Sequence, residues 1–153
     1  MRAVLCGANG AMGKLIDGLL PQEVAGRVSL DGENGVARTF AQLGPVEANV
    51  VMDFSHHSAI SDVLAYAKGI GAAAVIGTTG HTEAEKAEIL AASQEIPVFY
   101  SGNMSLGIAV LCRLAQQAAA AFPDADIEIV EVHHNRKVDA PSGTARMLFE
   151  AIR

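Results

Sequence analysis

Residues 2–20 read R-A-V-L-C-G-A-N-G-A-M-G-K-L-I-D-G-L-L, and this stretch decides the fold. Arg2–Cys6 is a short apolar run that suits a buried strand. Gly7-Ala8-Asn9-Gly10-Ala11-Met12-Gly13 is a glycine-rich turn, and Ala11–Leu20 follows with a helical pattern. Strand, turn and helix in that order open a dinucleotide-binding unit. Its glycines permit the tight turn and let the backbone approach a pyrophosphate at the helix N-terminus. Gly10 and Gly13 match the last two glycines of G-x-G-x-x-G, while Ala8 occupies the first position and Gly7 precedes it. A glycine turn with a purely structural job is the competing reading.

Outward from that unit, short apolar strands alternate with longer helical patterns. Strands are predicted at Arg27–Asp31, Asn49–Asp53, Ala73–Ile76, Pro97–Tyr100 and Asp126–His134. Helices are predicted near Ala59–Ile70, Glu83–Ser93 and Ser105–Ala121. The crossover Val36–Ala48 contains Gly44-Pro45 and has room only for a brief helical turn. Ile108, Leu111, Leu114, Ala115, Ala118 and Phe122 mark one apolar face at helical spacing. Such alternation predicts an α/β fold, a Rossmann-like doubly wound parallel sheet with helices on both faces. In Asp126–His134 the apolar parity changes sides near Val130. The strand therefore bulges or passes into a second domain, with His133 and His134 on opposite faces if it is regular.

The chain has 153 residues, half of them apolar and 18% charged, which suits a buried core. A net charge of −6 argues against a nucleic-acid surface. No apolar run is long enough to span a bilayer, and the N-terminus lacks signal-peptide regions, so a cytoplasmic protein with no membrane partner is expected. Cys6 and Cys112 each lie in an apolar stretch and read as buried free thiols, against a disulfide or a catalytic thiol.

Asp31 stands at the end of the second predicted strand, about twenty residues past the glycine loop, where a carboxylate can bind ribose hydroxyls. Glu33 is a possible substitute, and a solvated turn residue is the bland alternative. No cation immediately follows Asp31. NADH is therefore expected to be used readily, and NADPH more weakly or by recruitment of Arg38. Gly77-Thr78-Thr79-Gly80 after the fourth strand and Ser101-Gly102-Asn103-Met104-Ser105 after the fifth lie where ligand-binding loops of a doubly wound sheet project. Ordinary strand-to-helix turns are the alternative for each.

Glu131 to Ala145 reads E-V-H-H-N-R-K-V-D-A-P-S-G-T-A. It places His133, His134, Lys137 and Asp139 just before Ser142-Gly143-Thr144, a helix N-terminus whose exposed N–H groups favour an anion. Cations and N–H donors hold carboxylates and a neighbouring acid delivers a proton, so the cluster suits a small dicarboxylate. Structural or solvated histidines and a metal site are the competing readings, the metal one weakened because His56, His57 and His81 show no recognisable ligand spacing.

This run resembles the signature of the dihydrodipicolinate reductase family. G-A-N-G-A-M-G resembles that family's glycine loop, D-F-S its third-strand end, G-T-T-G its nicotinamide loop and N-M-S its domain-crossing segment. The resemblance implies reduction of 4-hydroxy-tetrahydrodipicolinate by NADH or NADPH, with loss of water, in the diaminopimelate route to lysine. It assigns His133 and Lys137 to catalysis. Substrate binding falls to His134, Lys137, Ser142, Gly143 and Thr144. Cofactor binding falls to Gly7–Gly13, Asp31, Gly77, Thr78, Thr79, Ser101, Gly102, Asn103 and Met104, with no metal. Met104 stands where an aromatic is common in the family, which puts stacking on the nicotinamide in doubt.

Family chains continue into a fuller α+β substrate and oligomerisation domain and commonly form homotetramers. The expected organisation is a dinucleotide-binding domain over 1–104, then a crossover helix and the beginning of a substrate domain over 105–153. From this the chain is expected to bind dinucleotide, to turn over little, and to have a C-terminal segment that is mobile or paired with another chain. A dinucleotide-binding fragment without turnover is the alternative. Another Rossmann reductase, such as a semialdehyde or homoserine dehydrogenase, leaves the paired histidines and Pro-Ser-Gly-Thr unexplained.

Overall fold

Strand β1, Ala3–Cys6, has all four residues buried, the signature of a strand covered on both faces. It lies inside a parallel sheet with β2 (Val24–Val28), β3 (Val50–Asp53), β4 (Ala73–Ile76) and β5 (Val98–Tyr100), in the order β2-β1-β3-β4-β5. The structure, a computed structural model, describes residues 1–135, 137 and 140–153. Helices are α1 (Ala11–Leu19), α2 (Phe40–Leu43), α3 (Ile60–Gly69), α4 (Glu83–Ala92), α5 (Leu106–Ala121) and α6 (Gly143–Ile152), with 3-10 turns at Glu33–Gly35 and His57–Ala59. The architecture is α/β and Rossmann-like.

Alternate strand residues feed two cores. Val4, Cys6, Val51, Ala74 and Ile76 face α3 and α4, whose Ile60, Val63, Leu64, Ala67, Ile89 and Ala92 are buried with them. Leu5 and Val24 face the other way, with Ile16 and Leu20 packed on them. The α3 residues recur at i, i+3, i+4 and i+7, and burying each large one contributes about 2 kcal/mol. Helix α4 begins with a capping box. Thr82 Oγ1 accepts from the Glu85 N–H at 3.2 Å, and Glu85 Oε2 accepts from the Thr82 N–H at 2.6 Å.

The second strand differs from expectation. It runs Val24–Val28, so Asp31 lies three residues beyond it. The ladder to β1 ends with Cys6 opposite Val28, and on its other edge β2 meets an isolated bridge, Val28 to Ala37, where the Ser29 N–H donates to Ala37 O at 2.8 Å. The chain then turns: Gly32 N–H donates to Ser29 O at 3.0 Å, and Gly32 is left-handed. The brief turn expected within Val36–Ala48 is α2, capped by Thr39.

The chain divides into two compact units, Met1–Ser101 and Gly102–Arg153. In the second, α5 packs against α6. The expected strand Asp126–His134 is absent among the described residues; this stretch has no ladder partner, and Val130 and Val132 are 83% and 91% exposed. A strand needs a neighbouring backbone to satisfy its N–H and C=O groups, and none is present here. Cys112, expected to be buried, is partly exposed because α5 has no buried residue; Cys6 is buried, and both are free thiols. Asp139, with Arg136 and Val138 of the signature run, lies outside the described residues.

Candidate active site

The order of strands reverses between β1 and β3, and there the two carboxyl ends open a crevice. Gly7 leaves β1 with φ of 80°, and its N–H donates to Val28 O at 2.8 Å. A Cβ at Gly7 would strike the Phe54 carbonyl, and one at Gly13 would strike the Gly7 carbonyl and lie 2.7 Å from Ala8 Cα. Neither obstacle is a flexible side chain, so only glycine fits at either position. Gly10 N-caps α1 with no side-chain cap, so the N–H groups of Ala11, Met12 and Gly13 have no partner inside the helix. Ala8 is buried beneath the loop.

A cavity of about 410 Å³ stands over this loop, lined among others by Gly7, Asn9, Gly10, Asp31, Arg38 and Ser55. Asn9 Nδ2 donates to Asp31 Oδ1, and that bond holds the Asp31 carboxyl below the usual carboxylate range. Glu33 offers its backbone instead of its carboxylate: its N–H donates to Asp31 Oδ1 at 3.4 Å. Arg38 crosses close above Gly32, so a carboxylate and a guanidinium share one wall of the cavity.

The cavity floor is built from β3 and its following loop. Asp53 is fully buried; its Oδ1 accepts from the Ser55 N–H at 3.2 Å and from the Ser55 hydroxyl, while Oδ2 has no partner. Burial, then the nearby Asp53 charge, push the Cys6 thiol up to about 12, so Cys6 stays an unreactive thiol. Thr78 is buried and its Oγ1 accepts from the Ser55 N–H at 2.9 Å, tying the Gly77–Gly80 loop to the loop after β3. The Phe54 ring fills the space in front of Gly77, and Thr79 is exposed.

A histidine cluster adjoins that loop. His57 Nδ1–H donates to Glu85 Oε1 at 2.9 Å, and His81 Nδ1 lies 3.2 Å from the Tyr100 hydroxyl. The His57 bond, then the Thr82 N–H, lower the Glu85 carboxyl to about 2. Burial lowers the His81 pKa, and its Nε2 is buried without a hydrogen-bond partner. Among the described residues no group of three or more His, Cys, Asp or Glu is arranged to hold a metal ion, and no helix is long and apolar enough to cross a membrane.

Ser101 closes the first unit; Gly102, Asn103 and Met104 open the second. Asn103 Oδ1 accepts from the Ser105 N–H at 2.8 Å, and Asn103 Nδ2 donates to Thr144 Oγ1 at 2.7 Å. Met104 is exposed. His133 and His134 are exposed, and the Lys137 N–H donates to His134 O at 3.1 Å. Ser142 is buried and caps α6 by accepting from the Ala145 N–H at 3.0 Å. Gly143 and Thr144 form the first turn of α6. Glu131 was not singled out from the sequence. Its carboxylate accepts from the Ser142 N–H at 2.8 Å and from the Ser142 hydroxyl, and its Oε2 is 3.6 Å from His133 Nδ1.

Comparison with known proteins matches "Dihydrodipicolinate reductase, N-terminus" over residues 1–104 and "Dihydrodipicolinate reductase, C-terminus" over residues 107–153. The chain belongs to the dihydrodipicolinate reductase family. It is 44% identical to the 4-hydroxy-tetrahydrodipicolinate reductase of Caldanaerobacter subterraneus subsp. tengcongensis over 158 residues, which covers 99% of this chain and 63% of that protein. To the Alkaliphilus oremlandii enzyme of the same name it is 44% identical over 155 residues, covering 99% and 62%. The chain thus spans about three fifths of the length of these dihydrodipicolinate reductase relatives. The dipicolinate-bound dihydrodipicolinate reductase of Paenisporosarcina sp. TG-14 shares the fold, with a TM-score of 0.70 at 24% identity, covering 99% of this chain and 65% of that one.

Proposed function

We propose that the chain carries the dinucleotide-binding domain, residues 1–104, and the beginning of the substrate domain, residues 105–153, of a 4-hydroxy-tetrahydrodipicolinate reductase. The observation that carries this reading is the cavity at the β1/β3 switch point, with its glycine cradle and the Asp31 carboxylate on its wall. NADH or NADPH fits that cradle. The bare backbone of Gly7, Gly10 and Gly13 leaves room for a pyrophosphate, and the free N–H groups of Ala11, Met12 and Gly13 attract its charge. Asp31 receives ribose hydroxyls, and Arg38 on the same wall receives a 2′-phosphate. Gly77–Thr79 and Ser101–Met104 are assigned to the nicotinamide end. When bound, the nucleotide supplies a hydride.

The remaining roles belong to side chains of the second unit. Hydride addition to a cyclic conjugated imine develops negative charge, which Lys137 stabilises as a cation. His133 delivers the proton that neutralises it, a task suited to imidazole near neutral pH. His134 and the Ser142-Gly143-Thr144 turn hold the carboxylates of a small dicarboxylate. A homotetramer of the longer form belongs to the same reading. A second reading, dinucleotide binding without turnover, is favoured by the segment 126–134, which carries His133 and has no ladder partner among the described residues.

Oxidation of NADH and NADPH with freshly generated 4-hydroxy-tetrahydrodipicolinate, using this chain and a longer form, tests the proposal. In the longer form Lys137→Ala should lower kcat by about a hundredfold or more while NADH affinity changes less than about twofold. Unchanged kcat would remove Lys137 from the chemistry.

A further inference from the structure

Glu131 lies two residues before His133, on the segment that leads to α6. Its carboxylate is held by two donors at the start of α6, the Ser142 N–H on Oε1 at 2.8 Å and the Ser142 hydroxyl on Oε2. Ser142 is itself held: it is 4% exposed, and its Oγ accepts from the Ala145 N–H at 3.0 Å. The same Oε2 that accepts from the Ser142 hydroxyl lies 3.6 Å from His133 Nδ1. The two Ser142 bonds, and the charges of His133 and Lys137, favour the ionised form of Glu131.

We propose that Glu131 is a positioning residue for His133, fixing the ring with its proton on Nδ1 and leaving Nε2 outward to exchange a proton with substrate. The chemistry is general: a carboxylate or carbonyl facing one imidazole nitrogen sets the tautomer and the ring direction at the other. A solvated carboxylate would serve fold stability as well as any surface acid; one held by a buried N-cap serine and turned toward a histidine has a specific task. It also reassigns Ser142. Both of its donors are committed to Glu131, so the N–H groups of Gly143 and Thr144 remain for an anion at this helix end. The proposal deepens the assignment of His133 above and rests on it only for the identity of the proton acceptor.

The test is made without substrate. Long-range 1H–15N correlation spectra of the 15N-labelled chain at a pH where His133 is neutral read which ring nitrogen carries the proton. In wild type Nδ1 should be the protonated nitrogen. Glu131→Ala should move the ring toward the mixed tautomers of a free imidazole, and Glu131→Asp should restore part of the difference. Should Glu131→Ala also lose α6, Glu131→Gln decides instead: it keeps an acceptor for Ser142 and removes the charge, and the Nδ1–H population should still fall. Identical His133 nitrogen shifts in wild type and in the variant that keeps α6 would overturn the proposal. Because no turnover is measured, that outcome is distinct from a failure of His133 as the proton donor.

Discussion

Two side chains on one cavity wall are the proposed selectors between NADH and NADPH. Asp31 is held ionised by Asn9, and Arg38 lies over Gly32 beside it. A 2′-hydroxyl gains a charge-assisted hydrogen bond from Asp31, whereas a 2′-phosphate meets repulsion from it and attraction from Arg38. Asp31→Ala should weaken NADH about tenfold and NADPH less, in line with roughly 1.5 kcal/mol for a hydrogen bond to a charged group. Arg38→Ala should weaken NADPH and leave NADH nearly unchanged. Parallel titrations of the two nucleotides read both effects, and equal losses in either variant would remove that residue from nucleotide selection. That the glycine turn and Asp31 come to one cavity was legible in the sequence, because strand, turn and helix order and the distance to Asp31 bring them to the same end of the sheet. Glu131 was not, because an acid two residues before a histidine looks like any solvated charge until Ser142 is seen to hold it.

The loops after β3 and β4 are tied by Glu85, which closes the α4 capping box and accepts from His57. Because the Glu85 carboxyl falls from an ordinary 4.5 to about 2, its stabilisation is fully present above pH 4.5 and is lost as pH falls toward 2. His81 acts in the same direction at higher pH. Burial lowers its pKa from 6.5, so the unfolded chain takes up the proton first and stability declines as pH drops below that value. Thermal unfolding followed from about pH 7 to about pH 3 should therefore show two descending steps, and Glu85→Gln should flatten the lower one. Superimposable curves for wild type and Glu85→Gln below pH 4.5 would contradict this. The Thr82–Glu85 capping box was not singled out from the sequence, and its link to His57 could not be, since contacts between loops follow from the strand order. Strand ends were similarly hidden. The expected strand Arg27–Asp31 overran the point where the ladder to β1 ends, at the Cys6–Val28 pair, and the Val28–Ala37 bridge on the other edge does not extend it.

For the molecule as a whole, alternating strands and helices sufficed for the α/β class, since a parallel sheet needs its crossovers and its apolar strands need cover on both faces. The same reasoning failed for Asp126–His134, where the pattern of a strand is present and a neighbouring backbone is not. Local pattern states what a segment can become; pairing requires a partner elsewhere. The central claim is that a dinucleotide sits across the β1/β3 switch point, and hydrogen exchange with and without NADH tests it most directly. Binding should slow exchange at Ala8–Gly13, at Leu30 and Asp31, and at Ser55, with little change along the outer part of α4, residues 86–92. Absence of protection in the glycine loop at saturating NADH would contradict it.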